Sequence, residues 1–399
     1  MARKTRIAVI GGGIGGCTAA HALLQKGFDV HVYEAQPELK EIGAGVALGP
    51  NAMKAMRALG LEQAVRDVAY QGDYQYLLSW KSGRVISKNA RADAERRYGA
   101  AGCSVHRADL LDVLSSGLPK EILSLGARGA EVDTHGNVAW AKFKDGTEIE
   151  ADAVIGADGI HSAVRASLFG ADAPKFTGKI CYRSVIPVDA VPGGPPAHNG
   201  TWLGPHGAIV IYLVRRGELI NVVAHHDDDT YKHESWITEC DRQEPIERYG
   251  QWHESLKRLF SASQIWYKWA LYDRDPIPQW TKGRVTVLGD AAHPMLPYLG
   301  QGACQAMEDG CVLAMALEAM PDDVPGALQL YERSRRPRAS QVVLEARARG
   351  VDNHLVSPLA ALKRDATIWL RQRISPDRGG RGLTWIPSYD PGSRSVLVI

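Results

Sequence analysis

The segment Arg6–Glu34 constrains this 399-residue chain more than any other stretch. An apolar run, Arg6-Ile7-Ala8-Val9-Ile10, leads straight into Gly11-Gly12-Gly13-Ile14-Gly15-Gly16. An alanine- and leucine-rich stretch follows, with Ala19, Ala20, Leu23 and Leu24, and stops at Gly27. A run apolar throughout suits a strand covered on both faces, and Gly27 suits a left-handed helix stop. Phe28–Tyr33 then alternates and ends on Glu34. The pattern is strand, turn, helix, strand, with Gly11, Gly13 and Gly16 in the G-x-G-x-x-G register of a dinucleotide site. The first glycine permits the tight turn, the second lets backbone approach a pyrophosphate, and the third lets helix and strand pack closely. Ile14 and Gly15 open the helix, whose free N–H groups and dipole favour an anion. Glu34 is placed to accept ribose hydroxyls, which indicates a ribose without a 2′-phosphate. FAD or NAD fits.

A second glycine-bearing segment lies far along the chain. After the apolar run Val285–Leu288 come Gly289-Asp290-Ala291-Ala292-His293-Pro294 and then Pro297, Gly300, Gly302 and Ala303, where another helix is expected to begin. Between the two segments the pattern changes character. Residues 72–98 read as antiparallel β, Val105–Leu114 as a helix, and Val132–Phe143 with Asp145-Gly146-Thr147 as a hairpin. Lys179–Pro187, Ala208–Val214 and Leu219–His225 read as strands, and residues 245–260 as helical. The expected architecture is α/β. A Rossmann-like nucleotide domain is assembled from 1–75, 100–175 and 284–325, a β-rich substrate domain from 76–99 and 176–283, and a helical segment occupies 326–399.

Bulk properties narrow the function by exclusion. With a formal net charge of +2 and no block of like charge, nothing points to nucleic acid. No apolar run is long enough to span a membrane. The basic N-terminus lacks the longer apolar core of a secretion signal. Six cysteines at 17, 103, 181, 240, 304 and 311 form no Cys-x-x-Cys pair, so no metal site is expected. Cys304 and Cys311 read as small buried apolar residues. Reduced thiols suit a cytoplasmic protein, and a homodimer is the default assembly.

Four motifs together give the chain a family resemblance. They are the glycine triplet, His106-Arg107-Ala108-Asp109-Leu110, the run Gly156-Ala157-Asp158-Gly159 through Arg165, and Gly289-Asp290-Ala291-Ala292-His293-Pro294. With the tail Leu383–Asp390, they make the sequence resemble the single-component FAD-dependent aromatic hydroxylases, in particular those acting on salicylate, 3-hydroxybenzoate and 6-hydroxynicotinate. The resemblance implies non-covalent FAD. It gives Arg107 a contact to the FAD phosphate and ribityl region, and Asp158 a link to both FAD and the nicotinamide donor. Asp290 would accept a ribityl hydroxyl. Gly302 and Ala303 would offer N–H groups to the pyrimidine edge, where charge builds on reduction. Gly289 and Gly300 belong to the same loop, and Ala44 and Gly45 would border the ring. Pro297 would lie over the substrate, Arg165 would hold the Asp158 loop by ion pairing, and His293 would be structural.

The implied reaction uses NADH or NADPH and O2, and a flavin hydroperoxide attacks an electron-rich ring. A phenol of pKa about 10 is mostly neutral at neutral pH, so a base or hydrogen-bond chain must favour the phenolate. Relatives place a histidine four residues before a strand tyrosine. Here the tyrosine is Tyr212, the expected position holds Ala208, and His206 stands two residues earlier as the candidate base. A regular strand would turn both to one side. Tyr212 is also a candidate substrate contact, and Arg183, in Cys181-Tyr182-Arg183-Ser184, could bind a carboxylate. The substrate expected is a small phenolic or hydroxy-heteroaromatic acid. A larger polycyclic substrate, or a flavin-binding regulatory protein without turnover, are the alternatives.

Overall fold

A computed structural model describes residues 4–39, 43–171, 174–235, 237–374 and 382–398. The first three residues of the basic N-terminus lie outside it. Two sheets organise the chain. The first has six strands, in the order Thr281–Lys282, Val285–Val287, Ala153–Gly156, Arg6–Ile10, Asp29–Glu34 and Leu123–Leu125. All of its pairings are parallel except that of the Thr281–Lys282 edge. Its central strands are almost wholly buried, as helices on both faces require. The helices Ile14–Gln25 and Gly302–Ala319 cross at close range beside it. A Cβ on Gly15 would come within 2.9 Å of Leu288 Cδ1, and one on Gly310 within 2.8 Å of the Ala19 nitrogen. The two glycine segments are therefore physical neighbours.

The second sheet has eight strands: Glu239–Cys240, Trp266–Asp273, Lys175–Pro187, Leu219–Asp227, Gly207–Val214, Gly200–Gly204, Tyr74–Ser79 and Val85–Ala90. Its alternation gives it two faces. Ile209, Ile211, Val222 and Ala224 pack with Leu256, Leu259 and Phe260 into a separate core. By register the opposite face carries Cys181, Arg183, Ala208, Tyr212, Asn221 and His225. That face looks toward the nucleotide-type segments, as the contact of Tyr212 with Gly45 shows.

Some local expectations are corrected. Residues 72–98 do not stay β: after two strands, Arg91–Tyr98 is a helix, stopped by Gly99 at φ 77°. Its residues bury no face, so no apolar periodicity advertises it, although Ala, Arg and Glu are strong helix formers. The helix expected at Val105 begins at Arg107, because Cys103–His106 pairs as a strand with Gly45–Leu48. The helical stretch at 245–260 is two helices, Gln243–Arg248 and Glu254–Ala262. At the C-terminal side Val324–Asn353 and Pro358–Ile374 are both helical.

Candidate active site

The glycine turn has the shape that a pyrophosphate requires. Gly11 sits at φ 110°, where a Cβ would meet the Ala157 oxygen at 2.3 Å, and a Cβ on Gly16 would overlap the Gly11 oxygen at 1.9 Å. Gly13 instead faces open space. The turn is thus closed where it packs and bare where a ligand would approach. Glu34 Oε2 accepts from the Gly12 N–H at 2.6 Å and Oε1 from Gln36 at 2.8 Å. An ionised carboxylate has further lone pairs for ribose hydroxyls.

The late segment supplies the other wall. The Gly302–Ala319 helix begins at Gln301 with no side-chain cap, so its first N–H groups await an acceptor. Asp290 is exposed on the loop before it, and its Oδ1 lies 3.7 Å from where a Gly302 Cβ would stand. Pro297–Leu299 forms one helical turn ended by Gly300 at φ 61°. Gly289 donates its N–H to the buried Asp309 at 2.9 Å, and His293 Nε2 meets the same carboxylate at 2.6 Å. His293 is thus bonded beneath the loop.

Three cofactor-side residues turn out more occupied than the motifs alone suggest. Asp158 accepts from Ser162 Oγ at 2.5 Å and from the Ala163 and Val164 N–H groups at 2.7 and 3.1 Å. Its carboxylate caps the Ala163–Phe169 helix, and burial pushes its carboxyl up despite those bonds. Arg165 donates to the Asp290, Ala291 and Ile160 carbonyls, which ties the two loops together. Arg107 lies between the halves: burial lowers its guanidinium, the Asp290 charge opposes this, and nearby Arg183 adds to it. Ala44 is buried and accepts the Arg107 N–H at 2.7 Å.

At Gly45 the two-stranded sheet of Gly45–Leu48 and Cys103–His106 meets the eight-stranded one. The Gly45 N–H donates to Asn221 Oδ1 at 2.7 Å, and a Cβ would strike Tyr212 Cε2 at 2.5 Å and Asn221 Cγ at 2.7 Å. Tyr212 and Asn221 are cross-strand partners. A cavity of about 450 Å³ opens beside them, lined by Tyr212, Val210, Ala47, Leu299, Gly300 and Gln301. Arg183 is 7% exposed, with its guanidinium 5.4 Å from the Trp269 ring and 5.9 Å from that of Tyr267.

The expected base is elsewhere. His206 is not on the strand: it stands in the turn before it, at φ 60°, half-exposed, with Nδ1 3.3 Å from Asp227 Oδ2. It stands six residue steps before Tyr212, a span of about 20 Å along an extended chain. The turn and this distance together keep the residue away from Tyr212. Sequence reasoning also missed His225. It pairs across the sheet with Ala208, is buried, and has no hydrogen-bond partner at either ring nitrogen among the described residues. Burial, with His354 nearby, pushes its imidazole down to about 3. Only strand register could have revealed it, and likewise Asn221.

Known proteins agree with this geometry. The FAD binding domain family matches residues 4–346. The 6-hydroxynicotinate 3-monooxygenase of Pseudomonas fluorescens is 38% identical over 348 residues, 86% of this chain and 90% of the relative. The 3-hydroxybenzoate 6-hydroxylase of Polaromonas naphthalenivorans is 35% identical over 97% of this chain and 96% of its own. Among solved structures, a salicylate hydroxylase substrate complex superposes with a TM-score of 0.82 at 29% identity, covering 98% of this chain and 96% of that one. Klebsiella pneumoniae HpxO complexed with FAD and uric acid gives 0.85 at 26% identity, covering 98% of each chain. With bare glycine backbone, an uncapped helix start and an exposed acid meeting where such a cofactor must lie, the chain belongs to the FAD-binding family of aromatic-ring hydroxylases.

Proposed function

We propose that the protein hydroxylates a small phenolic or hydroxy-heteroaromatic acid, with its ring beside Tyr212 beneath Pro297 and its carboxylate on Arg183. Bound FAD supplies the redox chemistry, taking electrons from NADH or NADPH and passing one atom of O2 to the ring. The chain's own work is to bind, orient and keep water out. The observation that carries the reading is the burial of Arg183 between aromatic rings on the face turned to the cofactor segments. The guanidinium fork fits a carboxylate. Leu296, Trp269 and Cys181 form an apolar cluster beside it, which suits a dry pocket. The names of the relatives point the same way, since hydroxynicotinate, hydroxybenzoate and salicylate each carry a ring hydroxyl and a carboxylate.

Paired substrates test this. In FAD-loaded protein, salicylate, 3-hydroxybenzoate and 6-hydroxynicotinate are compared with their carboxyl-free counterparts for stimulated NADH or NADPH oxidation, with peroxide measured beside product. Arg183→Gln should raise KM for the effective acid roughly a hundredfold, the about 2–3 kcal/mol of a hydrogen bond to a charge, while the carboxyl-free compound changes little. Equal loss for both removes Arg183 from carboxylate binding. Free thiols among the described residues support a reducing compartment such as the cytoplasm. Leu359, Leu362, Leu370 and Ile374, all exposed on the Pro358–Ile374 helix, support a homodimer that would cover them.

A further inference from the structure

A continuous line of polar side chains runs from Tyr298, the residue after Pro297, to the protein surface. The Tyr298 hydroxyl lies 3.0 Å from His354 Nε2, and His354 Nδ1 lies 2.6 Å from Asp227 Oδ1. Burial works against ionisation of Asp227, but the hydrogen bond from His354, with Lys179, holds its carboxyl down to about 2. A carboxylate can only accept, so Nδ1 carries the proton and Nε2 is left to accept from the tyrosine. At the outer end Asp227 meets Lys179 Nζ at 3.2 Å and His206 Nδ1 at 3.3 Å, and the His206 side chain is 48% exposed. At the inner end the Tyr298 ring lies 4.8 Å from that of His225, beside the Cys181, Trp269 and Leu296 cluster. The arrangement is built for contact. Gly350 has no side chain where a Cβ would stand 2.7 Å from Tyr298 Cε2, which lets the Val324–Asn353 helix bring His354 to the tyrosine.

We propose that Tyr298, His354 and Asp227 form a proton exit, which takes the hydroxyl proton of the bound phenolic acid to solvent beside His206. The step is a relay without net redox change. The substrate O–H passes its proton to Tyr298 Oη as the tyrosine proton moves to His354 Nε2. His354 releases its Nδ1 proton to Asp227, and Asp227 gives it to water or His206. The substrate is left as phenolate, and the proton returns along the same path when ligand leaves. His206 then has a role at the outer end of the path, some distance from the ring. This inference rests on the phenolic-acid reading. The titratable and charged groups around the relay are His225 and Cys181 beneath Tyr298, and Lys179 and His206 on Asp227. The neighbouring cluster holds His226, Arg248 and Asp228, and the helix bearing His354 adds Arg349 and Asp352.

Two measurements on the FAD-loaded full chain decide it. The first is nitrogen NMR of labelled histidine without substrate, with the His354 signals assigned by their loss in His354→Gln. A neutral ring protonated on Nδ1 near neutral pH is expected; an imidazolium, or a proton on Nε2, overturns the relay whatever the substrate proves to be. The second is turnover with whichever of salicylate, 3-hydroxybenzoate and 6-hydroxynicotinate stimulates NADH or NADPH oxidation. Tyr298→Phe and His354→Gln should lower kcat roughly a hundredfold at neutral pH, with KM little changed and the loss shrinking as pH rises and the phenol ionises unaided. In His354→Ala, added imidazole should restore turnover while the weakly basic pyrazole of equal size should not. Loss that is equal at every pH, or rescue by both compounds, contradicts the relay. If no phenolic acid is turned over by the unaltered protein, the substrate reading falls, and the NMR result still decides the polarity of the line.

Discussion

The distance between the Gly45–Leu48 strand and the eight-stranded sheet is decided at Gly45 by the absence of a methyl group. Alanine there would place a Cβ 2.5 Å from the Tyr212 ring and 2.7 Å from Asn221, so one of them must shift. Gly45→Ala should cost about 1–3 kcal/mol of stability, the usual penalty of overpacking, and weaken FAD binding, checked by thermal unfolding with and without FAD and by flavin fluorescence titration. Unchanged FAD affinity would separate Gly45 from the cofactor wall. Tyr212→Phe should raise KM for the effective acid roughly fivefold to thirtyfold, as loss of a hydrogen bond worth about 1–2 kcal/mol implies. Unchanged KM and kcat would take Tyr212 out of the site. At this scale the sequence was legible where a residue's role follows from its own backbone. Gly11, Gly16 and Gly300 were readable because only bare backbone fits them. His206, His225, Asn221 and Tyr298 were not, because their roles depend on a turn or on cross-strand register. A histidine two positions out of place and a histidine on the next strand look alike in one dimension.

Among elements, the Gly302–Ala319 helix has most to hold in place. Its Glu308 and Asp309 are fully buried and meet Arg335 at 2.6 and 2.8 Å, while His293 reaches Asp309 from the loop above. The network fixes the helix start and the Gly289 turn in one arrangement. Removing Arg335 leaves Glu308 to Arg338 and Asp309 to His293 and the Gly289 N–H, so Arg335→Met should destabilise by about 1–3 kcal/mol, the cost of lost hydrogen bonds to buried charges, measured by urea unfolding of the FAD-loaded protein. A loss below about 1 kcal/mol would mean the carboxylates find other partners. Burial alone would raise the Asp309 carboxyl, but His293 and Arg335 hold it down to about 2. A depressed carboxylate contributes stability above its unfolded value of about 3.9, and that contribution is lost as pH falls toward about 2. Unfolding free energy should therefore drop across that acid window, and drop less in His293→Gln. Elements with an apolar stripe were readable from the sequence. Arg91–Tyr98 buries none of its residues and was read as β.

Across the whole molecule, the arrangement is a division of labour between a mostly parallel sheet that presents glycine turns and a mainly antiparallel sheet that presents side chains. The alternation of patterns along the chain made that division readable, because strands that alternate with helices and runs of short strands separated by turns look different in one dimension. Assembly belongs to this scale as well. If the exposed leucines of Pro358–Ile374 are covered by a second copy, sedimentation should give twice the 43.4 kDa chain mass. A single-chain mass at working concentration would set the homodimer aside. The most direct test of the central claim is the coupling of NADH or NADPH oxidation to hydroxylated product in the FAD-loaded protein. One phenolic acid of the panel should accelerate oxidation at least tenfold, with product matching coenzyme consumed and little peroxide. A protein that holds FAD yet oxidises the coenzyme at one slow rate, with every acid or none, would contradict the account.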